Sequence, residues 1–265
     1  MLRRVSDLPQ TDLFSCRNST RGSSRHMHFD FSLGVLEAGV SDCLYRGVRQ
    51  RIGPGTVTLV VPGETHAAKP VTGCANRAIR LDAAKYADYC RQVLGKAPAE
   101  FQFSASVYSD RPLAKQVLSV YDVLARGHST MEREYGLLSL MTFLLTRYSE
   151  NRPDIASPPK DRRRMRLACD YIQEHYAENI TLGQLAKLVD LSPFHFARVF
   201  CHTVGVPPHT YQVQARLNRA RILLAAGKQI LYAAQEAGFY DQSHLVRAFK
   251  AQFGVTPVDY RSSAT

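Results

Sequence analysis

The chain has 265 residues, enough for two domains that each bury a core. Its 34 Lys and Arg residues outnumber its 23 Asp and Glu residues, so the formal net charge is +11, as expected of a protein with a phosphate-binding surface. Residues 1–25 carry several charges and no sustained apolar run, which excludes a secretory signal and predicts a cytoplasmic protein.

The first predicted elements are short β-strands. Apolar residues alternate with polar or small ones over 29–35, and residues 44–52 resemble two strands joined at Gly47. The turn at 53–55 then leads into an apolar run at 56–61. Short strands separated by turns predict a small barrel or sandwich.

The stretch from Gly55 to His66 resembles the second half of a cupin motif, and the resemblance covers roughly residues 20–80. It implies a cupin-like β-barrel that binds an unidentified small-molecule effector. The predicted ligand contacts are His28, Tyr45 and His66, in an otherwise apolar cavity. As an alternative, these histidines only cap the ends of strands.

Three histidines, His26, His28 and His66, also suggest a metal site, because neutral imidazoles are good metal ligands. A metal-binding cupin usually has a glutamate shortly after its second histidine, and this chain has Ser32 and Leu33 there. We therefore predict no metal and no cofactor. The six cysteines lack paired metal spacing and are predicted to be free thiols, with redox sensing left open. A metal-dependent cupin enzyme with an appended helical module is the alternative.

Amphipathic helices are predicted at 83–94, 111–126 and 131–149. The third has an apolar surface between residues 137 and 145 that is too wide for a helix with one free face. That surface is either buried against the barrel or shared with another chain. The run is too short to cross a bilayer, so no membrane partner is predicted.

A polar, proline-rich stretch at 151–160 suits an extended connector. We predict a first domain at 1–150, a linker at 151–160 and a second domain at 161–265. The densest basic run, from Lys160 to Arg166, follows directly. Its side chains either contact backbone phosphates or form the solvated edge of the linker.

Residues 195–211 recur at 244–260 with the same spacing of structural residues. The matched pairs are His195 and His244, Arg198 and Arg247, Phe200 and Phe249, Gly205 and Gly254, Val206 and Val255, Pro208 and Pro257, and Tyr211 and Tyr260. So many identities at one offset indicate that the chain contains one small helical unit twice.

Each copy is predicted to be a helix, a tight turn and a second helix. In the first copy, Pro193 begins the second helix behind Ser192 as its cap. In the second copy, Gly238 supplies a left-handed turn residue and Asp241 can cap the helix that follows. Asp190 holds the position of Gly238, and Asp is among the few residues that tolerate this backbone conformation.

The second helices, at 193–203 and 242–252, are predicted to read base edges in the major groove of double-stranded DNA. The predicted DNA contacts are Phe194, His195, Ala197, Arg198, Gln242, Ser243, His244, Arg247 and Lys250. A long helix between 208 and 226 would hold these helices about one turn of B-DNA apart. Arg216 or Arg219, on that helix, would meet the phosphates between them. An ordinary solvated helix face is the alternative.

Residues 160–262 resemble the DNA-binding domain of the AraC/XylS family of bacterial transcription regulators, and 233–261 is close to the family signature. The resemblance implies binding of promoter DNA, activation through RNA polymerase, and a homodimer paired through the helix at 131–149. Ala197 departs from the polar residue often found there, and Gly183 is unusual inside a helix.

The predicted fold class is therefore α+β in two domains, an N-terminal cupin-like β-barrel with helices and a C-terminal all-α domain with two helix-turn-helix units. The predicted function is a ligand-responsive, sequence-specific DNA-binding regulator. No phosphate loop, nucleophile elbow or paired carboxylates stand out, so no catalytic residue is predicted. A protein–protein interaction module is a further alternative.

Overall fold

The computed structural model describes residues 2–45, 47–95, 97–98, 102–150, 158 and 160–263. The chain divides into an N-terminal unit, Met1–Arg126 with Gly136–Ile155, and a C-terminal unit, Gly127–Tyr135 with Ala156–Thr265. Residues 127–135 thus group with the C-terminal unit, although the sequence places them in the first domain. The predicted linker lies outside the described residues except for 158 and 160, and its boundaries stay predictions.

The described residues of the N-terminal unit form two antiparallel sheets. The strands are β1 (Leu2–Arg4), β2 (Thr11–Ser19), β3 (Ser23–His26), β4 (Phe31–Ala38), β5 (Ser41–Tyr45), β6 (Val48–Ile52), β7 (Val57–Val60), β8 (His66–Pro70), β9 (Cys74–Leu81) and β10 (Val107–Tyr108). The larger sheet has the order β1-β2-β9-β4-β7-β10, and the smaller has the order β3-β8-β5-β6. This β-rich architecture confirms the predicted fold class of the first domain.

Local signals account for several of these strands. The hairpin of β5 and β6 pairs Tyr45 with Val48 and turns at Gly47, whose φ of 78° favours glycine. Strand β4 lies between β9 and β7 in the larger sheet, and residues on both of its faces are buried. On one face, Phe31 stacks on Tyr86 with ring centroids 4.5 Å apart. The residues on the opposite face of β4 line the space between the two sheets.

The helices of this part of the chain are α1 (Ala83–Leu94), α2 (Arg111–Arg126) and α3 (Thr130–Tyr148), close to the predicted ranges. The apolar residues of α3 are buried in a single chain: Leu137, Leu138, Leu140, Met141, Leu144 and Leu145. The wide apolar surface is therefore covered by its own chain, and it no longer argues for pairing with a second copy. No helix in the described residues is both long and apolar enough to cross a membrane.

The C-terminal unit is helical. Its helices are α4 (Arg162–Glu174), α5 (Leu182–Leu188), α6 (Pro193–Val204), α7 (Pro208–Ala225), α8 (Ile230–Glu236), α9 (Gln242–Phe253) and α10 (Pro257–Ser263). Both predicted recognition helices, α6 and α9, end within one residue of their predicted ends, and α7 is the predicted long helix. Phe200 and Phe249, at matched positions of the two copies, are fully buried.

The turns and caps of the two copies follow the sequence prediction. Asp190 and Gly238 both have positive φ, 53° and 75°. Ser192 Oγ accepts a hydrogen bond from the backbone N–H of His195, and Asp241 Oδ1 accepts one from that of His244. Each cap satisfies an N–H that has no partner inside the helix. The two helix-turn-helix units are thus set by local chemistry.

Candidate nucleic-acid interface and ligand pocket

Helix α9 presents a polar surface near its N-terminus. Gln242, Ser243, Arg247 and Lys250 are exposed, as predicted for DNA contacts. Tyr240, in the turn before the helix, is 77% exposed. Sequence analysis missed this aromatic side chain, although a large exposed ring beside a recognition helix is a usual sign of a binding surface.

Helix α6 presents fewer polar groups. His195 is exposed, and its Nδ1 lies 3.0 Å from Ser192 Oγ, so this ring is held against the cap of its own helix. Arg198 is half-buried, with its guanidinium carbon 5.2 Å from the centre of the Phe194 ring. Burial lowers the pKa of Arg198. The two helices therefore offer different amounts of polar surface, as the departure at Ala197 suggested.

The expected exposure of Phe194, Ala197 and His244 is wrong, because all three side chains are buried. Phe194 and Ala197 belong to an apolar surface of α6 that is wider than the single stripe predicted from spacing. His244 is covered by aromatic rings on two sides. Its ring stacks on His128 with centroids 3.8 Å apart and meets Phe239 edge-on at 5.0 Å.

His128 lies in the 127–135 segment of the C-terminal unit and also approaches α9 through Arg247. Nη2 of Arg247 is 3.3 Å from Nε2 of His128. Burial, together with electrostatic interactions with His128, Arg216 and Arg247, lowers the pKa of His244 to about 4, and Asp241 opposes this shift. His244 is thus a neutral side chain inside a basic surface.

We expect this buried histidine to make folding sensitive to acid. The folded-state pKa, about 4, lies below the usual 6.5, so between these values the unfolded chain binds a proton that the folded chain does not. The free energy of unfolding then falls as pH falls, by about 2 kcal/mol between pH 7 and pH 5. Urea unfolding at both pH values should show a loss that is smaller in His244→Gln than in the natural chain by about this amount, because His28 and His66, whose pKa values burial also lowers, keep their own contributions. The exposed His202→Gln control should keep the loss, and an unchanged pH dependence in His244→Gln would contradict the assignment.

Arg216 does not lie where the sequence predicts. Its side chain is buried, with Nε donating to the carbonyl of Tyr176 at 2.7 Å and Nη2 donating to the carbonyl of Glu178 at 2.9 Å. Burial lowers its pKa to about 10. Arg216 therefore binds the connection between α4 and α5 and is not placed to meet phosphates, which leaves Arg219 as the predicted phosphate contact of this helix.

The basic run at the start of α4 is exposed. The first turn of α4 contains Arg162 and Arg163 and no acidic residue, and the N-cap of the helix is Asp161. Arg166 lies one turn further along the helix. Positive side chains at a helix N-terminus interact unfavourably with the helix dipole, and each costs about 0.3–1 kcal/mol. Both interpretations of this basic run, phosphate contacts and a solvated edge of the linker, stay predictions.

A cavity of about 360 Å³ lies between the two sheets of the N-terminal unit. The three predicted ligand residues, His28, Tyr45 and His66, all line it. Tyr45 and His66 are buried, and their rings are parallel with centroids 5.9 Å apart. Burial raises the pKa of Tyr45, so its hydroxyl stays protonated.

The three histidines meet at one end of this cavity. Their ring centroids are 4.3 Å apart for His26 and His66, 4.9 Å for His28 and His66, and 6.1 Å for His26 and His28. Nδ1 of each ring faces a backbone carbonyl, of Ser24, Asp30 or Glu64. Because a carbonyl only accepts, each Nδ1 donates, and Nε2 of the neutral ring is left as an acceptor.

Burial lowers the pKa of both His28 and His66, so both rings are neutral near pH 7. In the described residues, no group of three or more His, Cys, Asp or Glu side chains is arranged to hold a metal ion. The histidine rings thus give the cavity a polar end, and their role as ligand contacts stays a prediction.

Sequence analysis missed the contribution of β9 to the cavity. Every second residue of this strand lines it, namely Cys74, Asn76, Ala78 and Arg80. The period of two is the normal alternation of a strand with one face toward the cavity. Arg77 points to the other face, where it pairs with Glu37 and Asp122. The sequence places Arg77 and Arg80 on opposite faces of one strand, but it does not show which of the two faces meets the cavity.

Comparison with known proteins bears on both units. The family model for an AraC-like ligand binding domain matches residues 8–141, and a helix-turn-helix domain model matches residues 185–263. The chain is 28% identical over 226 residues to the uncharacterized HTH-type transcriptional regulator YbfI of Bacillus subtilis, covering 83% of this chain and 80% of that protein. It is 31% identical over 127 residues to the arabinose operon regulatory protein of Escherichia coli, covering 47% of this chain and 43% of that protein.

A solved structure of apo ToxT from Vibrio cholerae is similar over 97% of this chain and 99% of that chain, with a TM-score of 0.42 and 12% identity. The ligand-binding model alone covers half of the chain, and the helix-turn-helix model covers the repeated units that the sequence predicts. The chain belongs to the AraC family of DNA-binding transcriptional regulators, with a ligand-binding domain before its helix-turn-helix domain.

Proposed function

We propose that this regulator reads promoter DNA with α6 and α9 in two adjacent segments of the major groove. The observation that carries the proposal is the recurrence of arginine at one position of both helices, Arg198 and Arg247, each with polar or basic neighbours. The proposed contacts are His195, Arg198, Gln242, Ser243, Arg247 and Lys250. Phe194, Ala197 and His244 are left out of this set because they are buried.

Arg247→Ala should weaken binding to a duplex selected from a random pool by about 1–3 kcal/mol, roughly 5- to 150-fold, if Arg247 binds a base through two hydrogen bonds. Fluorescence anisotropy on duplexes with single base changes should show that selectivity is lost at one position. A uniform loss across all sequences would mean a phosphate contact instead.

Two controls separate this effect from others. His128→Ala removes the neighbour of Arg247 without removing the guanidinium, so its affinity for the selected duplex should stay near that of the natural chain. Arg17→Ala removes one exposed positive charge from β2 in the other unit and should also have little effect. Unchanged affinity and selectivity in Arg247→Ala would remove this residue from the interface.

We further propose that the cavity between the sheets binds the effector and that the regulator activates transcription through RNA polymerase, as a homodimer in the cytoplasm. Family membership and the position of His28, Tyr45 and His66 in the cavity support the effector site. The homodimer rests on resemblance alone, because the surface of α3 that suggested it is buried in one chain. Sedimentation of the full chain tests the dimer, and transcription in vitro by RNA polymerase with and without the regulator tests activation.

We propose that the protein is not an enzyme. Support comes from its family and from the cavity, where the polar groups are neutral histidines, a protonated tyrosine and arginine rather than an acid–base pair. Metal analysis of the purified chain tests the cupin-enzyme alternative. Stoichiometric metal that is lost in His26, His28 or His66 variants would favour that alternative.

A further inference from the structure

The side chains that line the cavity between the sheets carry net positive charge. Its lining includes two arginines, Arg21 and Arg80, and three histidines, and among the described residues no Asp or Glu lines it. A cavity that is this rich in cationic and hydrogen-bonding groups favours a ligand with negative charge. Because burial lowers the pKa of His28 and His66, both rings are neutral near pH 7, and the permanent charge comes from the arginines.

Arg80 is the inner of these two charges. It lies on β9, at the centre of the larger sheet, whereas Arg21 is exposed. Its guanidinium carbon is 5.5 Å from the centre of the Phe14 ring, and Nε is buried without a hydrogen-bond partner among the described residues. A guanidinium held on an aromatic ring with a donor to spare is preorganised for an anion that accepts two hydrogen bonds.

A second polar group without a partner lies on the same face of β9. Oδ1 of Asn76 is buried and also lacks a hydrogen-bond partner among the described residues. Buried polar atoms are normally satisfied, so two unsatisfied atoms that line one cavity mark a polar site for a ligand. Both residues lie on the same face of β9, four positions apart, so a ligand bound at Arg80 would extend along this face toward Asn76.

The rest of the cavity limits what the anion can be. Leu36, Ile52, Val60 and Ala78 give it an apolar wall, and its volume of about 360 Å³ suits a small organic molecule. One inner arginine matches one carboxylate, whereas a phosphate group usually takes several cations or backbone N–H groups.

We propose that the ligand of this cavity is a small organic monocarboxylate, bound through its carboxylate by Arg80 and the neighbouring histidines, with its apolar body against Leu36, Ile52 and Val60. This inference rests on the proposal that the cavity is the effector site. It adds the chemical class of the effector and names Arg80 as the residue that selects it.

Binding of a carboxylate would also change the histidines. His28 faces Arg80, Asp30 and His26, and His66 faces His26, His28 and Glu64. A carboxylate beside these rings favours their protonated form, in which both ring nitrogens donate. Carboxylate binding should therefore take up protons, which calorimetry in two buffers of different ionisation enthalpy measures.

The test uses thermal unfolding of the full chain with a panel of monocarboxylates of about six to twelve non-hydrogen atoms, such as hexanoate and phenylacetate. Each is paired with its primary amide, which has the same shape without the charge. At least one carboxylate at 1 mM should raise the Tm by about 2 °C or more, because a ligand that binds only the folded state stabilises it. Its amide should leave the Tm unchanged. Equal effects of acid and amide, no effect of any acid, or a larger effect of inorganic phosphate would overturn the proposal.

Variants of Arg80 test whether the carboxylate binds in the cavity. Arg80→Met should abolish the Tm shift. Arg80→Lys keeps the charge and should weaken binding of the carboxylate about tenfold. This second variant provides the test if Arg80→Met does not fold. Arg17→Met removes an exposed charge from β2 and should bind the carboxylate like the natural chain. A full Tm shift in Arg80→Met would mean that the carboxylate binds elsewhere.

Duplex DNA binding separates this inference from the proposed function. If the chain binds its selected duplex but no carboxylate, the ligand class is wrong and the DNA-reading role stands. If a carboxylate binds in the cavity without changing the affinity for DNA, the ligand class stands and the effector role is wrong. If it changes that affinity in the natural chain but not in Arg80→Met, both are supported.

Discussion

Replacing Gly238 with alanine should destabilise the C-terminal unit by about 2–5 kcal/mol. The residue has a φ of 75°, a left-handed conformation that costs a residue with a Cβ about 1–2 kcal/mol. A Cβ added here would lie 2.5 Å from Cα and O of Ala177, so backbone must also move. Overpacking of this kind costs about 1–3 kcal/mol and at times more.

Gly254→Ala is the matched control. Gly254 has the same φ of 75°, but a Cβ there meets nothing within 4 Å. It should therefore show only the conformational cost, about 1–2 kcal/mol. Urea unfolding followed by circular dichroism compares the two variants. Equal losses would show that Gly238 is needed for its φ alone and not for the close approach to Ala177.

Arg216→Met should cost about 2–3 kcal/mol of folding free energy, because two hydrogen bonds from a buried, charged donor to backbone carbonyls are lost. The loss is limited because Nε2 of Gln212 donates to the same carbonyls, of Tyr176 and Glu178. Gln212→Leu alone should cost about 1 kcal/mol. The double variant should cost more than the sum, since the carbonyls then lose every side-chain donor that we observe.

Arg221→Met is the control for Arg216, because Arg221 is exposed on the same helix and bonds only to Asn218 in the described residues. Its effect on stability should be within about 0.5 kcal/mol. The comparison also decides between two roles for Arg216. If Arg216→Met lowers DNA affinity while stability is unchanged, the phosphate contact expected from the sequence is correct and the buried role is wrong.

The sequence predicts best what local chemistry decides. The caps at Ser192 and Asp241 and the left-handed residues Asp190 and Gly238 depend on neighbours within four positions, so the repeat is enough to place them. The same holds for the ends of α6 and α9.

Features that depend on distant residues escape this reasoning. His244 is buried because His128 stacks on it, and Arg216 is buried because carbonyls at Tyr176 and Glu178 receive its donors. Arg80 faces the cavity because β9 pairs with β2 and β4 in one register. A one-residue slip in that register would turn Arg77 inward instead. Spacing along the chain cannot choose between these arrangements.

The most direct test of the proposal that α6 and α9 read two segments of DNA is selection of duplexes from a random pool. The proteins compared are the natural chain, Arg198→Ala and Arg247→Ala. The natural chain should enrich a site of two short segments about 10 base pairs apart, one helical turn of B-DNA. Each variant should lose base preference in a different segment and keep it in the other. Enrichment of no sequence by the natural chain, or the same two-segment site from all three proteins, would contradict the account.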